Sequence, residues 1–279
     1  MFYFPVKPKI KALLGLEKFR KLIEHEHERP SNDNLMSDIF DSPAWKEFMG
    51  RVVSPNDRIG LQVCMDGIPA FTNKATAKSL KPFEAFVASL PPTIRHRVEY
   101  ILLIMLAEDS MKNKEMKKYF DWAAEYELND LANIGVDGVK VKVFGTSMDS
   151  PGRAEMLGMQ GHMAYSSCCV CKHCFSPGIG NAKKCIFDGY RDFLQPGSAA
   201  RQKRFTHENI VYEYSVVSTK AAPKFRTNKF VRDAIAFVAQ RQAPYLGHKS
   251  LPLLSRWAGF DWYRLNVPDL MHGTYLLFL

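Results

Sequence analysis

Two aspartates, Asp66 and Asp149, and a tight group of cysteines, Cys168, Cys169, Cys171 and Cys174, are the residues whose types and spacing suit chemistry. Each aspartate follows a run with strand periodicity. Ile59, Leu61, Val63 and Met65 alternate with other residues, Asp66 ends the run, and Gly67 breaks it. Val139, Val141 and Val143 alternate in the same way, and Asp149 lies just past that run. Hard carboxylate oxygens at neighbouring strand ends suit Mg²⁺ or Mn²⁺, which keeps its remaining positions for water and phosphate. Two such ions about 4 Å apart activate a water or a 3′-hydroxyl and stabilise the leaving oxygen of an in-line phosphoryl displacement. In that arrangement Asp66 bridges the metals and Asp149 binds one of them. The plainer reading, an aspartate at a strand end or turn, is a common placement. Only the fold can decide, because the two residues are far apart in the chain.

Cys171-Lys-His-Cys174 has the two-residue gap that lets both thiolates reach one tetrahedral Zn²⁺ at about 2.3 Å. His272, in the run DLMH, is the expected third ligand, with Asp269 or a downstream His as the fourth. Cys168 and Cys171 form an overlapping C-x-x-C, so the choice of pair stays open. Arg153, one turn beyond Asp149, and Arg191, Arg201, Lys203 and Arg204 are candidates for phosphate contacts. Solvated surface or a helix-end ion pair accounts for each of them equally well. Cys64 as a hydrolase nucleophile is a third, unrelated reading, weakened by its mid-strand position without a basic partner.

The elements that must position these residues follow from periodicity. Residues 1–23 have a helical pattern, Trp45 in DSPAWKEFM reads as a core anchor behind a proline helix start, and the Asp66 strand comes next. KPFEAFVASLPP (Lys81 to Pro92) reads as a second strand ended by the prolines. RVEYILLIMLAED (Arg97 to Asp109) is a third, almost continuously apolar and so expected to be central. Met116, Phe120, Ala124, Leu128 and Leu131 then fall on one helix face. The Val139 strand follows, and residues 229–241 read as a later helix. The expected fold class is mixed α+β, of α/β type. Three strands form an antiparallel meander, and a fourth returns over a helix to lie parallel to the first. That sets Asp66 and Asp149 side by side at the carboxyl edge, where such sheets carry their sites.

Composition bounds the rest. Lys and Arg number 38 against 29 Asp and Glu, a net charge of +9, which fits a polyanionic partner without requiring one. Six cysteines, four of them clustered, suit a metal in a reducing compartment better than a disulfide framework. The opening MFYFPVKPKIKALLG lacks the apolar run of a signal peptide, and Tyr100 to Ala107 is too short to span a bilayer, so a soluble intracellular protein is expected.

Taken in order, nine patterns resemble the transposases of CACTA (En/Spm-like) DNA transposons. They are YFPVKPKIKALL (Tyr3 to Leu14), DSPAW (Asp41 to Trp45), LQVCMDGIPAF (Leu61 to Phe71), SLPP (Ser89 to Pro92) and EYILL (Glu99 to Leu103). MDSPGRAEMLG (Met148 to Gly158), the C-x-x-C at Cys171 and Cys174, GYRDFL (Gly189 to Leu194) and DLMHG (Asp269 to Gly273) complete the set. The resemblance implies an RNase H-like core with a mixed five-stranded sheet, an acidic triad and a zinc-knuckle insertion. It also implies Mg²⁺ or Mn²⁺ with structural Zn²⁺, nuclear action on transposon ends and target DNA, and a possible homo-oligomer with no membrane association. By position Asp66 matches the first catalytic aspartate and Asp149 the second. The expected division is an N-terminal helical, basic segment (1–55), the first part of the catalytic core (56–160), and the zinc knuckle with an incomplete C-terminal region (161–279). One departure is plain: the family's third acid, a glutamate, should follow the DLMH region, yet Glu208 and Glu213 precede it and no Glu follows Glu213. A truncated copy is therefore expected. A non-catalytic, zinc-braced module for binding DNA or protein, derived from a transposase, is the alternative.

Overall fold

The alternating run that ends at Asp66 forms the strand around which the sheet is assembled. In the computed structural model, residues 1–24, 38–49, 58–69, 79–161, 164, 204–207, 210–213, 226–241, 243–257 and 266–268 are described. Met1–Gly152 with Leu253–Leu279 forms one compact unit and Arg153–Pro252 a second. The first unit opens with strand β1 (Phe2–Tyr3) and helices α1 (Val6–Leu14) and α2 (Glu17–Ile23), then α3 (Pro43–Met49). Strands β2 (Arg58–Met65), β3 (Ile68–Pro69), β4 (Ser79–Val87) and β5 (Ile101–Glu108) come next. Helix α4 (Asn113–Ala123) runs through one π-helical turn (Ala124–Leu128) into α5 (Asn129–Asn133). Strand β6 (Lys140–Met148) follows, and α6 (Ser150–Met156) begins straight after Asp149.

The second unit contains the antiparallel pair β7 (Arg204–His207) and β8 (Ile210–Glu213), and helix α7 (Asn228–Arg241), which buries Val231, Ala234 and Val238. Strand β9 (Asn266–Pro268) belongs to the first unit.

The main sheet has the order β1-β5-β4-β2-β6-β9, with β3 added to β4. β2, β4 and β5 form the expected antiparallel meander, and β6 pairs parallel with β2 and with β9. The architecture is mixed α+β. Ile59, Leu61, Val63 and Met65 are all buried on one face of β2, and the helical stripe Met116, Phe120, Ala124, Leu128 and Leu131 is buried as well. Phe83 packs edge-on against Phe120 at 4.8 Å and against Trp257 at 5.9 Å. On the other face Trp45 is fully buried among Phe40, Phe48 and Phe144. A Cβ on Gly60 would come within 2.8 Å of the Trp45 ring, so this strand position admits only glycine without repacking.

Two sequence expectations need correction. β5 is not central, because it lies between β4 and the two-residue β1. Its apolar run reflects a bulge at Ile104, between the pairs Leu103–Glu84 and Met105–Phe83, and the packing of α1 against it. β4 ends before the prolines, and a turn over Ala88–Leu90 carries Ser89, whose hydroxyl accepts the Gly60 N–H at 3.0 Å.

One tie is ionic and buried. Arg95 donates to both carboxylate oxygens of Asp38, at 3.0 and 3.1 Å, and to the Leu90 carbonyl, and its guanidinium lies over the Phe40 ring. The side chains of this pair are 7% and 5% exposed. The π turn makes a second long-range tie. It brings the buried Glu127 to the start of α1, where its carboxylate accepts the N–H groups of Val6 (2.8 Å) and Lys7 (2.7 Å) and the Tyr3 hydroxyl. A carboxylate here supplies the cap that Pro5 cannot and meets the positive end of the helix dipole. Burial and this hydrogen bond hold the Tyr3 hydroxyl well above the ordinary phenol range.

Candidate active site

Asp66 is the first residue after β2 and Asp149 the first after β6. The two strands run parallel, and Val63 faces Thr146. Carried three residues on, that register sets Asp66 opposite Asp149, one strand spacing away, about 4.8 Å. The structure thus brings the two aspartates together at one edge of the sheet. Neither is enclosed by apolar packing: Asp66 is exposed and Asp149 half-buried.

Each carboxylate is oriented by one backbone donor. Asp66 Oδ1 accepts the Gly67 N–H at 2.7 Å. Asp149 Oδ1 accepts the Gly152 N–H at 2.7 Å, in the manner of an N-cap for α6. Among the described residues no further hydrogen bond or ion pair engages either group, so the second oxygen of each is open to a cation. Two oriented, solvent-reachable carboxylates at this spacing fit Mg²⁺ or Mn²⁺. Among the described residues, no group of three or more His, Cys, Asp or Glu gathers as a metal site would.

Gly152 is the site residue that sequence reasoning missed. A Cβ there would stand 2.9 Å from Asp149 Oδ1 and 3.0 Å from the Met65 carbonyl oxygen. The bare glycine is what lets the Asp149 carboxylate sit against the end of β2. Its signal in the sequence is a glycine in the first turn of a helix, where alanine would be the better helix former.

Cys64 stands two residues before Asp66 and opposite Glu84 on β4. Burial, with smaller contributions from the Glu84 and Asp66 carboxylates, pushes its thiol up to about 12. A thiol so raised is protonated near neutral pH and makes a poor nucleophile, which removes the hydrolase reading.

The remaining candidates are not gathered here. Arg153 is in α6, and Arg204 begins β7 with its side chain outside the described residues. Arg191, Arg201, Lys203, Cys171, Cys174, Asp269 and His272 lie outside the described residues. Among the described residues no helix is long and apolar enough to cross a membrane.

Fold and edge together define a mixed α+β protein with paired carboxylates at the ends of adjacent parallel strands, the position where sheets of this type carry their sites. The model of the transposase family tnp2 matches residues 33–236, a span that takes in both aspartates and the cysteine cluster. The chain belongs to that family. No curated protein and no solved structure matches it.

Proposed function

We propose that this chain carries the catalytic core of a DNA transposase of the CACTA (En/Spm-like) kind, of the DDE/D type. Such a core cleaves DNA at transposon ends and transfers the strands to target DNA in the nucleus. The observation that carries the reading is the parallel pairing of β2 with β6, with Asp66 and Asp149 in register at the strand ends. The order β5-β4-β2-β6-β9, antiparallel through its first three strands and parallel thereafter, supports an RNase H-like core. Membership of the transposase family and a charge of +9 support a DNA partner.

In this reading Asp66 and Asp149 hold Mg²⁺ or Mn²⁺. When bound, the metal would activate the attacking hydroxyl and stabilise the leaving oxygen of a phosphoryl displacement. The chain's own contribution is placement. The Gly67 and Gly152 N–H groups fix one oxygen of each carboxylate and leave the other facing solvent. Cys171 and Cys174, with His272 and Asp269, are proposed to hold a structural Zn²⁺. Arg153, Arg191, Arg201, Lys203 and Arg204 are proposed to contact phosphates.

The test is Mn²⁺-dependent nicking of DNA that carries terminal inverted repeats. Asp66→Asn should abolish nicking while leaving the fold intact, and equal cutting by that variant would remove the metal-site assignment. Bound zinc without any nicking by the wild type would favour the non-catalytic, zinc-braced binding module.

A further inference from the structure

Helix α4 carries a second periodicity that the core does not use. Lys114, Lys118 and Trp122 recur every fourth residue, and Tyr126 in the π turn continues the row. All four are exposed, Trp122 at 46% and Tyr126 at 60%. The Trp122 and Tyr126 rings are stacked, with centroids 4.7 Å apart and planes 11° from parallel. Tyr3 stands edge-on to both, at 4.9 and 6.3 Å, held by its hydrogen bond to Glu127. A rigid stack of half-exposed rings is an apolar surface with a specific shape.

The charges around it are one-sided. Asp121 is paired with Lys117 and Arg256, Glu125 with Arg256, and Glu127 is buried against α1. Lys114 and Lys118 make no ion pair among the described residues. Charge complementarity therefore favours a polyanion over a second copy of the chain, since the centres of protein interfaces are poor in lysine.

The sheet register places this row. Met65 pairs with Phe83, Phe83 with Met105, and Met105 with Tyr3, one line across four strands. Three strand spacings of about 4.8 Å set Tyr3 roughly 14 Å from Met65, the residue before Asp66. That is about four stacked nucleotides at roughly 3.4 Å each.

We propose that Trp122 and Tyr126 form a stacking platform for unpaired DNA bases beside the acid pair, with Lys118 and Lys114 meeting the phosphates of the same strand. Every base has a flat face, so such a platform accepts any sequence and distinguishes frayed or overhanging ends from paired duplex. The proposal rests on the DNA-processing reading above.

The experiment compares binding of the full chain to a blunt duplex and to the same duplex with a short oligothymidine 3′ overhang, by fluorescence anisotropy. The wild type should prefer the overhang by about tenfold or more. Trp122→Leu/Tyr126→Leu keeps apolar bulk and removes the stack, and should lose the preference with blunt-duplex affinity unchanged. A wild type that binds both forms equally overturns the platform and leaves the DNA reading in place. A wild type that binds neither overturns the DNA reading and the platform with it. A dimer that the double variant dissolves, with the overhang preference intact, assigns the surface to a second copy and overturns the proposal.

Discussion

Gly152→Ala tests whether the geometry at the acid pair is what the contacts say. The added methyl would lie 2.9 Å from Asp149 Oδ1 and 3.0 Å from the Met65 carbonyl, where ordinary contact begins at 3.4 Å. The shortfall is about half an ångström at two oxygens, one on the carboxylate and one on the backbone at the end of β2. Relief requires the carboxylate to swing or the strand end to yield. Helix propensity alone would favour the alanine by roughly 0.8–1.0 kcal/mol. Overpacking a tight site costs about 1–3 kcal/mol. The expected net is a loss of up to about 2 kcal/mol, small enough for the chain to stay folded. The larger effect falls on the cation, because the displaced group is one of its two carboxylate ligands. Mn²⁺ affinity, read by calorimetric titration, should fall about tenfold or more, the equivalent of roughly 1.4 kcal/mol. Urea denaturation of the same sample supplies the stability term. Asp149→Asn is the control: its amide oxygen still accepts the Gly152 N–H and caps α6, so stability should stay near wild type while Mn²⁺ binding is lost. An alanine variant that gains about 1 kcal/mol, as in any exposed helix, and binds Mn²⁺ like the wild type would refute the close approach.

Two further outcomes follow from buried groups. Asp38→Ala leaves the Arg95 guanidinium buried without its carboxylate, and should cost about 3–5 kcal/mol by urea denaturation; a loss below about 1 kcal/mol would show the pair to be dispensable. For Cys64, the ordinary thiol value is 9.0 and the folded value about 12. Below 9.0 both states keep the proton and pH has no effect through this group. Above it the unfolded chain releases the proton first, so stability falls as pH rises toward 12, by about 1.4 kcal/mol per pH unit. Thermal denaturation from pH 8 to 10.5 should therefore show a steeper decline for the wild type than for Cys64→Ala, and equal slopes would contradict the buried, protonated thiol.

What could be read from the chain and what could not divide along one physical line. The period-two run from Ile59 to Met65 and the helical stripe from Met116 to Leu131 are local patterns, and each shows which of its faces is buried without knowledge of the partner. The parallel return of β6 beside β2 is legible one step further, because a helix crossover between parallel strands leaves few alternatives. Asp66 and Asp149 inherit their placement from those two facts. Gly152, Asp38 with Arg95, and Glu127 at the start of α1 are of another kind. Each is set by an atom on an element far away in the chain, and no local period announces it. The bulge at Ile104 belongs with them, since one extra residue against β4 turned an apolar run that read as a central strand into one next to the edge. The same division explains why the aromatic row of α4 escaped notice. Tyr119, Trp122 and Tyr126 fall outside the stripe that packs the core, and a periodic reading assigns everything off that stripe to solvent. Stacking of Trp122 on Tyr126, with Tyr3 brought in from β1 by Glu127, makes a formed surface out of residues that single positions would leave unremarked.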